Sequence, residues 1–230
     1  MYLVNKSIPT CLSPIRELAK HCSHPTKLHW KGLTRLIGYI KANIGKGRFL
    51  MKPNELRIIA YTDSDYANND ERKSITGGIV TLGGSPTYFM SKMQSIVSLS
   101  STEAEYIALG TITQEVLFQR QILNELLDDK DEKTSIIYED NLGAIYLAKN
   151  QQISQRTKHI DVRHHFIRNL VEAKVIDVKY IKSEDNVADI LTKSVKEEIF
   201  NKHANTINKG KITYEENDIK NTDDQDIQKK

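Results

Sequence analysis

The sequence predicts an α/β domain, a five-stranded mixed sheet flanked by helices, with a helical segment ahead of it. Short apolar runs of strand length recur at Leu56 to Thr62, Ile79 to Leu82, Pro86 to Met90, Ser135 to Tyr138 and Val175 to Ile181. The first three are joined by turn chemistry, with Gly83-Gly84 as a tight return, so they pair antiparallel. Patterns of helical period separate the remaining strands and place helices around the sheet.

Up to about Asn54 the pattern is helical. Pro14 to His21 predicts a short helix and Thr26 to Ile44 a longer one, with Leu28, Leu33, Leu36, Ile37 and Ile40 on one side. Such an amphipathic helix needs a neighbour, and Gly45-Lys46-Gly47 ends it. Cys11, His21, Cys22, His24 and His29 fit no common zinc spacing and read as ordinary helix and loop residues.

From Leu56 a buried strand ends in Tyr61-Thr62-Asp63-Ser64-Asp65. A buried aspartate there calls for a cation or hydrogen-bond donors, so Asp63 is either a ligand or a cap. Arg72 to Gly78 leads into the second strand. Ser100-Ser101-Thr102-Glu103 offers a hydroxyl N-cap and a first-turn acid, opening a helix to about Leu127 that buries Ala104, Ile107, Ala108, Ile112, Val116, Ile122 and Leu126. Glu105 lies at the margin of that apolar side, where it can face the sheet. Ser135 to Tyr138 is a second buried strand that delivers an acid at its tip, ending in Glu139-Asp140-Asn141, and Leu142 to Lys149 is a short helix. Gln152 to Thr157 reads as loop, and His159 to Ala173 as a helix with Ile160, Phe166, Ile167 and Leu170 inward. Ser183 to Asn186 caps a last helix in which Asp189 stands among Val187, Ala188, Ile190 and Leu191. The expected division is residues 1–54 as the helical segment, 55–195 as the α/β domain, and 196–230 as a charged, low-complexity, disordered tail.

With 230 residues and 39% hydrophobic content the chain can bury one substantial core. A net charge of +3 is compatible with a polyanionic partner without demanding one. Two cysteines build no disulfide framework, the first residues lack the apolar core of a signal peptide, and no apolar run approaches membrane-spanning length. These features predict an intracellular, cytoplasmic setting, with virus-like particles and the nucleus as alternatives, and no membrane partner.

Five motifs, in order, carry a family resemblance: Tyr61 to Ala67, Ser100 to Tyr106, Tyr138 to Asn141, Arg156 to Ile160 and Ala188 to Lys193. Together they resemble the ribonuclease H domain of copia-type LTR retrotransposon Pol polyproteins, over about Ile58 to Val195. Pro25 to Ile44 resembles the connection segment that follows reverse transcriptase in those polyproteins. No Tyr-x-Asp-Asp polymerase motif occurs, so the chain looks like the C-terminal end of such a polyprotein.

The resemblance implies a ribonuclease H-like fold and endonucleolytic cleavage of the RNA strand of an RNA–DNA hybrid, leaving a 3′-hydroxyl and a 5′-phosphate. It implies Asp63, Glu105, Asp140 and Asp189 as catalytic ligands for two magnesium ions, with manganese as a substitute. The residue types suit that role: magnesium takes hard oxygen ligands, and bare clustered carboxylates raise one another's pKa until cations neutralise them. Taken singly, each acid also reads as a turn, a helix margin, a cap or an exposed position. Asp65, Glu103 and Glu139 are nearby alternatives, and strand alternation turns Glu139 away from Asp140. Ser100, Ser101, Thr102 and Asn141 are candidates for reading the 2′-hydroxyl, or else plain helix caps. Arg72, Lys73, Lys92, Arg156 and Lys158 are candidates for the phosphates, or else a solvated basic rim. The assisting histidine of cellular relatives has no match, since Lys182-Ser183-Glu184-Asp185 occupies its place, while His159, His164 and His165 read as surface or structural residues. A reverse transcriptase domain or subunit is the candidate protein partner. The competing readings are a catalytically silent remnant that binds hybrid or supports a polymerase, and an integrase-type transferase; the latter's order of Asp, Asp, Glu differs from the order here.

Overall fold

The structure is a computed structural model that describes residues 4, 7–50, 52–53, 55–67, 71–127, 133–150, 161–209 and 212, the side chains of 161–164 excepted. After a 3-10 turn at Pro9–Cys11 come helices α1 (Leu12–Ala19) and α2 (Lys27–Ala42), then strands β1 (Ile58–Asp65), β2 (Ile75–Leu82) and β3 (Ser85–Met93). Helix α3 (Ser101–Leu126), β4 (Ser135–Glu139), α4 (Leu142–Lys149), α5 (Asp161–Glu172) and β5 (Ile176–Tyr180) follow. A 3-10 turn at Ser183–Asp185 leads to the short α6 (Asp189–Thr192) and to α7 (Glu197–Lys209).

The sheet order is β3-β2-β1-β4-β5. β1, β2 and β3 pair antiparallel, while β4 joins β1, and β5 joins β4, in parallel. This is the mixed five-stranded α/β sheet expected. Strand alternation gives each face its own core. Ile59, Tyr61, Ile136 and Tyr138 face Leu12, Leu36, Leu191 and Ile207 of α1, α2, α6 and α7. Ile58, Ala60, Ile137 and Val178 face Tyr106, Leu109, Ile112 and Ile167 of α3 and α5. On the first face the rings of Tyr61 and Tyr138 stack at 5.1 Å, fastening the parallel pair just below the strand tips.

Three expectations need correction. The tail expected to be disordered from residue 196 forms α7, which buries His203, Ala204 and Ile207; residues 213–230 lie outside the described residues. Ile122 and Leu126 are exposed, because α3 runs about 39 Å and outreaches strands of about 27 Å. On α2 only Leu36 is buried, whereas Leu28, Leu33 and Ile37 face solvent. His29 has a capping role: its backbone N–H donates to Thr26 Oγ1 and its Nδ1 accepts from Thr26 N. The expected loop at 152–157 and the start of the helix at His159 and Ile160 lie outside the described residues, whereas Phe166, Ile167 and Leu170 turn inward on α5. No helix among the described residues is long and apolar enough to cross a membrane.

Candidate metal centre

β1 and β4 are parallel neighbours, with Tyr61 level with Tyr138, so Asp63 and Asp140 arrive side by side at the same end of the sheet. Asp63 continues the alternation of Ile59 and Tyr61 and therefore faces the α6 side. Glu139 continues that of Ile137 and faces α3, which presents Glu105 from its second turn. Asp140 lies between, just past the end of β4. Carboxylate oxygens of Asp63, Asp140 and Asp189 all lie within 4.8 Å of one another, and so do those of Glu105, Glu139 and Asp140. The four acids implied by the resemblance thus occupy two triads that share Asp140.

Glu139 is the member that sequence reasoning set aside. Alternation is expected to turn it from Asp140, yet the two share a triad, on the face where α3 brings Glu105. Its side chain is fully buried, and its Oε1 accepts from Asn141 N at 3.0 Å. Of the other nearby acids, Glu103 is used locally: its Oε2 accepts from Leu99 N at 2.7 Å, while its own N–H donates to Ser100 Oγ. Asp65 belongs to neither triad.

Two consecutive glycines let both helical layers approach this end. A Cβ on Gly77, which pairs with Asp63, would stand 2.5 Å from Thr192 Cγ2 and 3.0 Å from Ala188 O. On Gly78 it would stand 2.0 Å from Ile112 Cδ1 on the other face. The missing side chain at 77 therefore admits α6, and with it Asp189. Asn186, fully buried, holds the approach to α6 by donating to Thr62 O at 2.8 Å and accepting from Ala188 N at 3.1 Å.

The electrostatics are those of crowded acids. Burial, then Asp189, pushes Asp63 up to about 7. Burial, then Glu139 and Asp63, pushes Glu105 up to about 11, and burial raises Glu139 as well. Some relief is internal. Thr192 Oγ1 donates to Asp63 Oδ2, Ser183 Oγ donates to Asp140 Oδ2 at 2.6 Å, and Lys193 Nζ stands 2.8 Å from Asp189 Oδ1 and 3.9 Å from Asp63 Oδ1. Glu105 Oε2 and Glu139 Oε2 remain buried without a hydrogen-bond partner among the described residues. A buried carboxylate oxygen left so is costly, and an all-oxygen set of this kind suits a hard divalent cation.

The remaining candidates are placed less closely. Ser100 caps α3, so its hydroxyl serves Glu103 N, and Ser101 is exposed beside it. Thr102 Oγ1 reaches Asn141 Oδ1 at 3.4 Å, and Asn141 caps α4 through Ala144 N. Arg72 and Lys73 precede β2 at the end where β1 finishes, and Lys73 pairs with Glu71 at 2.6 Å. Lys92 is exposed on β3. Arg156, Lys158 and His159 lie outside the described residues, as does the side chain of His164, and His165 is exposed beside Arg168. Lys193 and Thr192 were not singled out from sequence, although they stand beside Asp189 in the Ala188 to Lys193 motif; Ser183 was expected to open a helix cap, whereas α6 has no side-chain cap and the Ser183 hydroxyl serves Asp140.

No family model matches the chain. It is similar to the Retrovirus-related Pol polyprotein from transposon TNT 1-94 of Nicotiana tabacum, with 35% identity over 85% of this chain and 14% of that protein. With the Retrovirus-related Pol polyprotein from transposon RE2 of Arabidopsis thaliana it shares 38% identity over 78% of this chain and 12% of that protein. The chain thus spans about one seventh or less of the length of these two polyproteins. Among solved structures it resembles the N-terminal RNase H domain of rv2228c from Mycobacterium tuberculosis, with 10% identity, 66% of this chain and 99% of that one covered, and a TM-score of 0.46.

Proposed function

Because the chain belongs to the Pol polyproteins of copia-type retrotransposons, we propose that its α/β domain is a ribonuclease H, a metal-dependent endonuclease that cuts the RNA strand of RNA–DNA hybrids. One observation carries this reading: acids separated by up to 126 positions converge at one end of the sheet as two triads sharing Asp140. Asp63, Glu105, Asp140 and Asp189, with Glu139 as a fifth acid, would hold two divalent cations, magnesium or manganese. Bound there, such cations supply an activated water, neutralise charge on the phosphoryl oxygens and stabilise the leaving oxygen.

The chain's own residues bind and orient. Thr192 and Ser183 fix the carboxylates of Asp63 and Asp140 by donating to one oxygen of each, leaving the other for a cation. Lys193 offsets the charge between Asp63 and Asp189. Ser101, Thr102 and Asn141, at the adjoining starts of α3 and α4, would meet a 2′-hydroxyl in the shallow minor groove. Arg72 and Lys92, near the same end of β2 and β3, would follow the phosphates and give salt-sensitive binding. A reverse transcriptase domain or subunit is the proposed protein partner.

The test is cleavage of a labelled hybrid with Mg2+ by the full chain beside Asp140→Asn. Cutting of the RNA strand by the parent alone supports the enzyme. Equal hybrid binding with no cutting by either would make the chain a silent binding module, and joining of DNA ends would make it a transferase.

A further inference from the structure

We infer that Arg16, on a helix ahead of the domain, is a positioning residue for the acidic centre, so that the nuclease site is complete only when α1 is present. This rests on the nuclease reading above. Arg16 is 8% exposed and reaches across the fold to α6: Nη1 donates to Leu191 O at 3.0 Å and Nη2 to Thr192 O at 3.0 Å. Nη1 also donates to Ser91 Oγ on β3, and Ser91 Oγ to Leu191 O, so helix, strand and α6 meet at one guanidinium. Glu17 Oε1 holds its outer edge at 2.8 Å and Ser13 Oγ lies 3.4 Å from Nη2.

α6 is four residues long, far too short to stand by its own hydrogen bonds, so its place is set by what it touches. Its C-terminal carbonyls have no helical partners, and two of them take the Arg16 fork. That backbone carries three groups of the centre: Asp189 itself, Thr192, which donates to Asp63, and Lys193, which faces both aspartates. Among the described residues Arg16 makes no hydrogen bond or ion pair to a candidate ligand. It fixes the peptide from which Asp189 projects, and it does so beside Gly77, the cross-strand partner of Ser91.

The experiment uses the full chain and compares the parent, Arg16→Met, Arg16→Lys and the exposed-site control Arg35→Met. Amide hydrogen exchange and calorimetric Mn2+ titration are read without substrate, and hybrid cleavage is read separately. In Arg16→Met, exchange at Leu191 and Lys193 should rise about tenfold or more while Ile59 to Tyr61 stay protected, because charge-assisted bonds to both carbonyls are lost. The Mn2+ midpoint should rise with it, and Arg16→Lys, able to serve one carbonyl, should recover part of both effects; Arg35→Met should match the parent. Should Arg16→Met fail to fold, Arg16→Lys alone decides by the same two readouts. An unmoved Mn2+ midpoint, exchange that rises equally throughout the sheet, or a parent that binds no Mn2+ overturns the inference. A parent that binds Mn2+ yet leaves hybrid uncut removes the nuclease reading alone.

Discussion

Substituting alanine at Gly77 should disable the centre far more than it weakens the fold, while the same change one residue later should do the reverse. The added Cβ at 77 would meet Thr192 Cγ2 at 2.5 Å, Ala188 O at 3.0 Å and Leu191 Cβ at 3.2 Å. Restoring ordinary carbon contact of about 3.5 Å requires a shift of about 1 Å. Thr192 cannot rotate aside freely, because its Oγ1 is held between Asp63 and Asp189 O. The backbone of α6 must move instead and take Asp189 with it. Overpacking of this kind costs about 1–3 kcal/mol of stability, and a misplacement of about 1 Å at a reacting centre costs about 10²-fold in rate. At 78 the clash is with Cδ1 at 2.0 Å and Cγ1 at 2.5 Å of the fully buried Ile112, on the face away from α6. Gly78→Ala should therefore lower the urea midpoint by at least as much yet leave turnover of the folded enzyme near that of the parent. Hybrid cleavage and urea denaturation on both variants test the pair. Parent-like turnover in Gly77→Ala, or equal loss in both, would refute the placement of α6 against that glycine.

Asp140→Asn should reduce cleavage more than about a hundredfold, since losing even an outer partner of a metal ligand costs 10–100-fold and Asp140 serves both triads; in metal-free buffer the same variant should melt higher, because one repelling charge is gone, and a lower melting point would contradict the crowding described. Asp63, raised from 3.8 to about 7 by burial and Asp189, holds its proton more tightly folded than unfolded, so it destabilises the metal-free fold progressively as pH rises across that interval. Melting of the parent relative to Asp63→Asn should accordingly fall from pH 4 toward pH 7 and flatten in saturating Mg2+, and an opposite slope would dismiss the assignment. Lys193→Met should tighten Mn2+ binding measured by calorimetry, because the ammonium competes with the metal for oxygens of Asp189 and Asp63; weaker binding would show that the lysine organises the ligands instead.

The parts of the architecture that follow from local pattern could be read directly. Tyr61-Thr62-Asp63 and Tyr138-Glu139-Asp140 each announce an apolar strand that ends in an acid, and parallel pairing of those strands brings the acids level. The Ser100 cap, with Glu103 beside it, fixes where α3 begins, and so places Glu105 one turn in. What period and capping do not encode is distance between elements. Gly77-Gly78 read from sequence only as the approach to a strand. Their use becomes visible when α6 and α3 are seen pressed against opposite sides of the same two backbones.

Glu139 shows why a correct local rule can still mislead. Alternation is expected to keep it from Asp140, yet the two share a triad with Glu105: Asp140 lies just past the strand end, where a tip is open to both faces, and α3 fills the far one with Glu105. The ends of the domain failed for a different reason. Composition judged 196–230 by its charges, yet His203, Ala204 and Ile207 supply enough buried surface, joined to a core already formed by Leu12, Leu36 and Leu191, for α7 to pack. A helix that completes an existing core needs far fewer apolar residues than one that must nucleate its own. The same holds for Arg16: on an isolated helix it is one more exposed cation, and only contact across 175 positions with Leu191 O turns it into a buried support. The acids are written in local sequence, whereas the residues that hold them in place depend on partners that no local window contains.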